Sequence, residues 1–110
     1  FQEAGLNAVY LAFGVSDIRD AVSAFRTLKM GGASVTIPHK ESVLPFLDRV
    51  DAVAAGIGAV NTLVWEDGEL VGRNSDSEGA VTALRDHTDL RGRRVAIIGA
   101  GGAARAAGFG

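Results

Sequence analysis

The stretch Gly32-Ala33-Ser34-Val35-Thr36-Ile37-Pro38-His39-Lys40 predicts a strand followed by a strand-to-helix corner that carries a lysine. Apolar residues alternate with the hydroxyl residues Ser34 and Thr36, and this period of two predicts a strand with one apolar and one polar face. Pro38 ends the strand and suits the first position of a helix, where its missing N–H costs nothing. Because ligands bind at strand ends in α/β sheets, Lys40 is a candidate functional residue. A solvated loop lysine is the alternative.

The composition is that of an ordinary globular protein with one modest domain. The 110 residues are 47% hydrophobic and 22% charged, with a net charge of −2. Since charges of both signs are interspersed, we expect no nucleic-acid or membrane partner. The lack of cysteine excludes disulfides and thiolate metal sites, and no metal is expected. No apolar run approaches the ~18 residues of a membrane span, so we expect a cytoplasmic protein. Both a monomer and a homodimer are compatible with the sequence.

The first part of the chain predicts a strand, a helix and a second strand. Asn7 to Phe13 is a short apolar run typical of a buried strand. Apolar residues recur with helical spacing over 18–28, and Gly31-Gly32 then leads into the strand before Pro38. A strand–helix–strand unit with short turns implies parallel pairing of its strands.

The middle of the chain predicts a hairpin followed by a helix. The expected elements are short helical pieces at 41–47 and 52–55 and strands at 59–65 and 69–72. Glu66-Asp67-Gly68 predicts an antiparallel hairpin between the two strands. Asn74-Ser75-Asp76-Ser77 is expected to cap the following helix, a plain structural role being the alternative to a functional one. Trp65 is expected to pack near its strand end rather than to stack on a base.

A glycine-rich turn closes the chain. Val95-Ala96-Ile97-Ile98 predicts a buried strand, and Gly99-Ala100-Gly101-Gly102-Ala103-Ala104 follows it at once. The pattern G-x-G-x-x-A between a strand and a helix is typical of a dinucleotide-binding turn, in which free N–H groups at the helix start bind phosphates. A glycine-rich structural turn is the alternative. The residue that separates NAD from NADP is expected some 20 positions further on.

Four motifs, in this order and spacing, resemble those of the shikimate dehydrogenases and the related quinate/shikimate dehydrogenases. They are Gly-x-Ser-Val-Thr-Ile-Pro-His-Lys at 32–40, Ile-Gly-Ala-Val-Asn-Thr at 57–62, Gly-x-Asn-Ser-Asp at 72–76 and Gly-Ala-Gly-Gly-Ala-Ala at 99–104. The resemblance implies NADP-dependent reduction of 3-dehydroshikimate to shikimate in aromatic amino-acid (chorismate) biosynthesis. A quinate/shikimate dehydrogenase that uses NAD or NADP is the alternative, and a non-catalytic binding module is an alternative of another class.

The resemblance also implies roles for individual residues. Lys40 and Asp76 would form the catalytic pair and contact the substrate. Asn61 would bind a ring hydroxyl of the substrate, with Thr36 and Ser34 beside it. The cofactor phosphates would lie against Gly99, Ala100, Gly101, Gly102 and Ala103.

The proton donor can also be argued from chemistry alone. Hydride transfer to a ketone leaves an alkoxide, and a positioned ammonium such as that of Lys40 can protonate and stabilise it. If Lys40 opened a helix, the positive helix end would oppose its charge and Asp76 would restore it. His39 is the alternative proton donor, but it can also be a turn histidine that points to solvent. His87 is expected to have only a local role.

The chain departs from the commonest family pattern at three positions. Ser34 replaces a frequent asparagine, Ser75 a usual threonine and Ser77 a usual glycine. Since Ser34 and Ser75 keep a hydrogen-bonding side chain, they bear on the choice between shikimate and quinate rather than on the chemistry. The sequence offers no interpretation of Ser77.

The resemblance further implies two α/β domains with the active site in the cleft between them. Residues 1–88 are expected to form the substrate-binding domain and a connecting helix, with a mostly parallel sheet flanked by helices and an antiparallel hairpin. Residues 89–110 would begin a Rossmann-type NAD(P)-binding domain. Both ends look cut, so we expect a fragment that is inactive alone and poorly ordered over 105–110.

Overall fold

A mixed sheet with helices around it forms the body of the chain. The computed structural model describes Phe1 and residues 3–110. Its strands are β1 (Gly32–Ser34), β2 (Arg49–Val50), β3 (Thr62–Glu66) and β4 (Glu69–Arg73). Its α-helices are α1 (Ile18–Thr27), α2 (Ala52–Ile57), α3 (Asp76–Arg85) and α4 (Gly102–Phe109), and a 3-10 helix spans Leu44–Phe46. None of these helices is long and apolar enough to cross a membrane.

The sheet is mixed, so the prediction of a mostly parallel sheet is wrong. The strand order is β1-β3-β4-β2. β3 pairs antiparallel with both β1 and β4, and the β2–β4 pairing is parallel. The expected strand at Asn7 to Phe13 does not form, and Val9 and Tyr10 within it are largely exposed. β1 is therefore an edge strand of this sheet, with β3 as its neighbour.

The predicted antiparallel hairpin between β3 and β4 is confirmed. Its two turn residues, Asp67 and Gly68, have φ values of 52° and 85°. A two-residue turn with both central residues at positive φ matches the right-handed twist of the flanking strands. The turn chemistry of this short segment therefore fixes the register of the longest strand pair.

The main core lies between the sheet, α1 and α2. Its buried residues are Val22, Phe25, Val35, Val43, Ala54, Val60, Leu63 and Leu70. Trp65 stacks on Phe25 with 5.9 Å between ring centroids, and its Nε1–H donates to the Met30 carbonyl at 2.8 Å. The packing role predicted for Trp65 is confirmed.

Another predicted strand does not form. Residues 95–98, expected to be a buried strand, are in no strand, and the Ile98 side chain is fully exposed. The short helical piece expected at 41–47 is present as the 3-10 helix Leu44–Phe46, after turns at 41–43; an α-helix there would lack one hydrogen bond, because Pro45 has no N–H to donate to the Glu41 carbonyl. Pro38 lies in a turn, after a cis peptide bond, and does not open a helix.

Residues 105–110, for which the sequence predicts poor order, pack against the rest of the chain. Ala106 of α4 is fully buried in a cluster with Ile57 and Ala59. The Phe109 ring covers Gly56 so closely that a methyl group on Gly56 would overlap it. Small residues on α2 and after it thus give α4 an apolar surface to cover.

Gly72 lies in β4 against the core, where a side chain has no room. A Cβ on Gly72 would lie 2.5 Å from Leu47 Cδ1 and 2.7 Å from Val60 Cγ2. We therefore expect Gly72→Ala to lower the free energy of unfolding by about 1–3 kcal/mol. Gly79→Ala is the matched control, because the space beside Gly79 in α3 is open. Alanine at this position should raise the free energy of unfolding by about 0.5–1 kcal/mol. Urea unfolding of both variants checks this, and effects of the same sign would contradict it.

Candidate active site

Lys40 and Asp76 form an ion pair between the turn after β1 and the start of α3. Lys40 Nζ lies 2.6 Å from Asp76 Oδ2, although 36 positions separate the two residues in the chain. The Lys40 side chain is 21% exposed and that of Asp76 is 31% exposed. The amine and the carboxylate are therefore held together while a small molecule can still reach them.

The backbone that carries Lys40 is fixed from two sides. Lys40 lies within turns spanning 37–43, and its carbonyl accepts the Val60 N–H at 2.7 Å. Val43, three residues on, is fully buried and anchors the turn in the core. Because no α-helix begins at Lys40, the opposing effect of a helix end on its charge does not arise, and Asp76 is its charged partner.

Asn61, just before β3, has an amide held by four hydrogen bonds. Its Nδ2 donates to Asp76 Oδ1 at 2.7 Å and to Ser75 Oγ at 3.1 Å. Its Oδ1 accepts from Thr62 Oγ1 at 2.7 Å and from the Ser75 N–H at 3.1 Å. An amide in an apolar setting is costly unless it is paired, and here both of its ends are paired. The bonds to Oδ1 also decide which end of the amide faces Asp76.

The Asp76 carboxylate accepts one hydrogen bond at each oxygen, from Lys40 and from Asn61. The Lys40 ammonium holds the pKa of Asp76 below its ordinary value of 3.8; partial burial opposes this shift, and the Asn61 amide adds to it. Asp76 is therefore ionised at neutral pH and can only accept hydrogen bonds. Of the two charged groups, Lys40 is the one that has a proton to give.

The structure brings Lys40, Asn61 and Asp76 into direct contact but leaves Ser34 and Thr36 at the margin. Ser34 pairs with Thr62 in the β1–β3 register, next to Asn61. Thr36 is exposed, and its carbonyl accepts the N–H of His39 at 2.9 Å. In the part of the chain that the structure describes, no hydrogen bond joins either hydroxyl to the ion pair.

The glycine turn Gly99-Ala100-Gly101-Gly102-Ala103 lies beside Ala59, close to the start of β3. Gly99 has a φ of +126°, a conformation that only glycine adopts readily. A Cβ on Gly101 would meet nothing within 4 Å, so open space faces the start of α4. The first N–H groups of a helix have no partner within the helix. The turn therefore fits a phosphate group.

Sequence reasoning named neither Thr62 nor Ser75 as a partner of the Asn61 amide, although Ser75 was expected to bear on the choice of substrate. Both hold the Asn61 amide, Thr62 through its hydroxyl and Ser75 through its hydroxyl and its N–H. Each stands directly beside a residue that was singled out, and that proximity was the available signal. Ser77, which the sequence left without an interpretation, is buried near the end of α4.

The two histidines are engaged elsewhere. His39 Nε2–H donates to the Val15 carbonyl at 2.9 Å, which ties the turn before Lys40 to the segment before α1. His87 forms a hydrogen bond through Nδ1 with the Ala83 carbonyl at 2.9 Å within the end of α3, so its predicted local role is confirmed.

An open hollow of about 530 Å³ is lined in part by Thr62, Asn74 and Ser75. Neither Lys40 nor Asp76 lines it. We place the candidate site at the ion pair, because the Lys40 ammonium, the Asp76 carboxylate and the Asn61 amide lie together there.

Comparison with known proteins identifies the family. Residues 1–63 match the shikimate dehydrogenase substrate binding domain. The shikimate dehydrogenase (NADP(+)) of Moorella thermoacetica is 50% identical, over 99% of this chain and 38% of that protein. The crystal structure of shikimate dehydrogenase from Aquifex aeolicus is 40% identical with a TM-score of 0.93, over 98% of this chain and 42% of that one.

A reductase named for another substrate is also similar. The ligand-free 5-ketofructose reductase of Gluconobacter sp. strain CHM43 is 39% identical with a TM-score of 0.82, over 98% of this chain and 40% of that one. The chain spans about two fifths of the length of the curated relatives it matches. Because the family match covers more than half of the chain and the relatives align along nearly all of it, this chain belongs to the shikimate dehydrogenase family.

Proposed function

We propose that the full-length protein reduces 3-dehydroshikimate to shikimate with NADP, reversibly. The observation that carries this proposal is the Lys40–Asp76 ion pair, joined to Asn61 and close to a glycine turn that fits a phosphate. Relatives named shikimate dehydrogenase (NADP(+)) support both the substrate and the cofactor. NAD is the alternative cofactor.

The glycine turn and the start of α4 would hold the phosphates of the cofactor, with residues 99–103 closest to them. When bound, NADPH supplies a hydride to the carbonyl carbon of the substrate. The residues of this chain then have to bind the ketone, balance the negative charge that develops on its oxygen and deliver one proton.

Lys40 delivers that proton. As the hydride forms the new C–H bond, the C=O electron pair moves to oxygen, and the Lys40 ammonium stabilises the charge and protonates it. Asp76 stays ionised and keeps the amine oriented across 2.6 Å. Lys40 is left as a neutral amine, and its partly exposed side chain regains a proton from water.

Asn61, with Thr36 and Ser34, binds hydroxyl groups of the substrate ring. Because the Asn61 amide is already paired at both ends, a substrate hydroxyl exchanges with an existing partner. The amide then binds the substrate in one fixed orientation. An analogue that lacks the hydroxyl group forms no hydrogen bond with the amide.

The division into domains is part of the proposal. Residues 1–88 form the substrate-binding domain, and residues 89–110 begin the NAD(P)-binding domain. Since the 110 residues hold one helix and one phosphate turn of that second domain, we expect them to reduce no cofactor by themselves.

The similarity to a 5-ketofructose reductase favours reduction of another polyhydroxylated ketone as the second candidate function. Initial rates of the full-length protein with 3-dehydroshikimate, 3-dehydroquinate and 5-ketofructose, each with NADPH and NADH, distinguish the candidates. We expect the highest kcat/KM for 3-dehydroshikimate with NADPH. A higher value for 5-ketofructose would replace the proposed substrate, and a higher value for 3-dehydroquinate would indicate a quinate dehydrogenase.

A further inference from the structure

Asn74 is a buried polar residue whose side chain joins two parts of the site. It is 7% exposed. Its Nδ2 donates to the Ala59 carbonyl at 2.9 Å, and its Oδ1 accepts the Asp76 N–H at 2.9 Å. Ser75, the residue directly before α3, makes no side-chain capping bond, so Asn74 provides that contact for the helix start.

The carbonyl that Asn74 binds belongs to a short segment that holds the whole site. This segment, residues 59–61, is called the hub below. The N–H of Val60 donates to the Lys40 carbonyl at 2.7 Å. The Asn61 amide donates to Asp76 at 2.7 Å. The hub is thus bonded to the backbone of one catalytic residue and to the side chain of the other, and Asn74 fastens the helix start to it.

We propose that Asn74 is a positioning residue for the reaction, which sets the Asp76 carboxylate against Lys40 and Asn61 by fixing the first residue of α3 to the hub. The inference rests on the proposed function, since it assigns Asn74 to the same site. The amide works in one orientation only, because reversing it would set its NH₂ against the Asp76 N–H and its oxygen against the Ala59 carbonyl. Asn74 touches neither charged side chain, so its effect passes through the backbone of Asp76.

Ser77 is the matched control, because it is similarly buried in the same part of the chain. It is 5% exposed and follows Asp76 directly in α3. Its hydroxyl lies near the end of α4, where a Cβ on Gly110 would come within 2.8 Å of it. A loss of packing at the start of α3 would therefore appear in Ser77→Ala as well, whereas a loss of the link to the hub would not.

The test is a double-mutant cycle on the full-length enzyme. Asn74→Ser keeps a hydroxyl that can accept the Asp76 N–H but does not reach the Ala59 carbonyl. We expect it to lower kcat by about 10- to 100-fold, with the KM for NADP unchanged, because the carboxylate is misplaced by a fraction of an ångström to an ångström. In an Asp76→Asn background the same substitution should lower kcat by less than about 2-fold, because the carboxylate that Asn74 positions is already absent. Ser77→Ala should leave kcat unchanged.

Each other result overturns a named part of the argument. A normal kcat in Asn74→Ser, or equal losses with and without the Asp76 carboxylate, would refute the positioning role alone. Should Asn74→Ser fail to fold, Asn74→Thr also keeps a hydroxyl acceptor and loses the donor to Ala59, fills more of the volume and adds no charge, and the cycle is repeated with it. Failure of both variants to fold would make Asn74 purely structural and refute the proposal. A normal kcat in Asp76→Asn alone would instead refute the proposed catalytic pair.

Discussion

Replacing Lys40 by alanine in the full-length enzyme should lower kcat for 3-dehydroshikimate reduction by about 10²- to 10⁴-fold. The ammonium is the proton donor of the ion pair, since its partner Asp76 is ionised at neutral pH. Without it the developing negative charge on the substrate oxygen has only water to neutralise it. The loss should fall on kcat more than on the KM for NADPH, because the glycine turn is untouched.

The chain offers a matched control for Lys40, since Lys29 is the only other lysine. Lys29 is exposed and has a φ of 51°. Lys29→Asn removes the same charge, and asparagine tolerates that backbone conformation well. We expect its kcat to equal that of the wild type. Near-normal turnover of Lys40→Ala with a raised substrate KM would mean that Lys40 only binds the substrate.

Asp76→Asn should lower kcat by about 10²- to 10³-fold, because the amine loses the charge that orients and stabilises it. The Asn61 amide also loses an ionised acceptor and faces a neutral side chain. Asp86→Asn, at the exposed far end of α3, removes a carboxylate outside the site, and its kcat should be unchanged. A kcat for Asp76→Asn equal to that of the control would contradict the assignment.

Comparison of the wild type with Asp76→Asn should also show a pH dependence of the free energy of unfolding. Because the pKa of Asp76 in the folded chain lies below its ordinary value of 3.8, the carboxylate stabilises the folded state fully at pH values above that ordinary value. The contribution is lost as the pH falls through the lower, folded-state pKa. The difference in unfolding free energy between wild type and Asp76→Asn should therefore stay constant from pH 7 to about pH 4 and shrink below it. Urea unfolding across this range checks the sign, and a difference that grows towards acid would contradict it.

Short-range chemistry made some parts of the fold predictable. The hairpin follows from Asp67 and Gly68, whose preference for positive φ is local. Helix α1 and the start of α3 likewise follow from spacing and capping residues within one turn. Lys40 is predicted from its place at a strand end, whereas the roles of Asn61 and Asp76 follow from the resemblance of their motifs to a known family.

Strand pairing was not predictable in the same way. An apolar run such as Asn7 to Phe13 becomes a strand only when a neighbour supplies hydrogen bonds, and nothing in the run itself says whether that neighbour is present. The partners of the Asn61 amide were hidden for a related reason. One of them is the backbone N–H of Ser75, and a backbone group has no signature in a sequence.

The contact between Ala59 and Gly102 limits how the protein can be altered. A methyl group on Gly102 would just touch that of Ala59 at 3.4 Å, so the clearance between the glycine turn and the hub is one carbon wide. Valine at either position would push the glycine turn away from the hub. If the turn holds the cofactor as proposed, a shift of about 1 Å can cost 10²-fold in rate. Attempts to enlarge the range of accepted ketones therefore have to leave both of these small residues in place, whatever is varied around them.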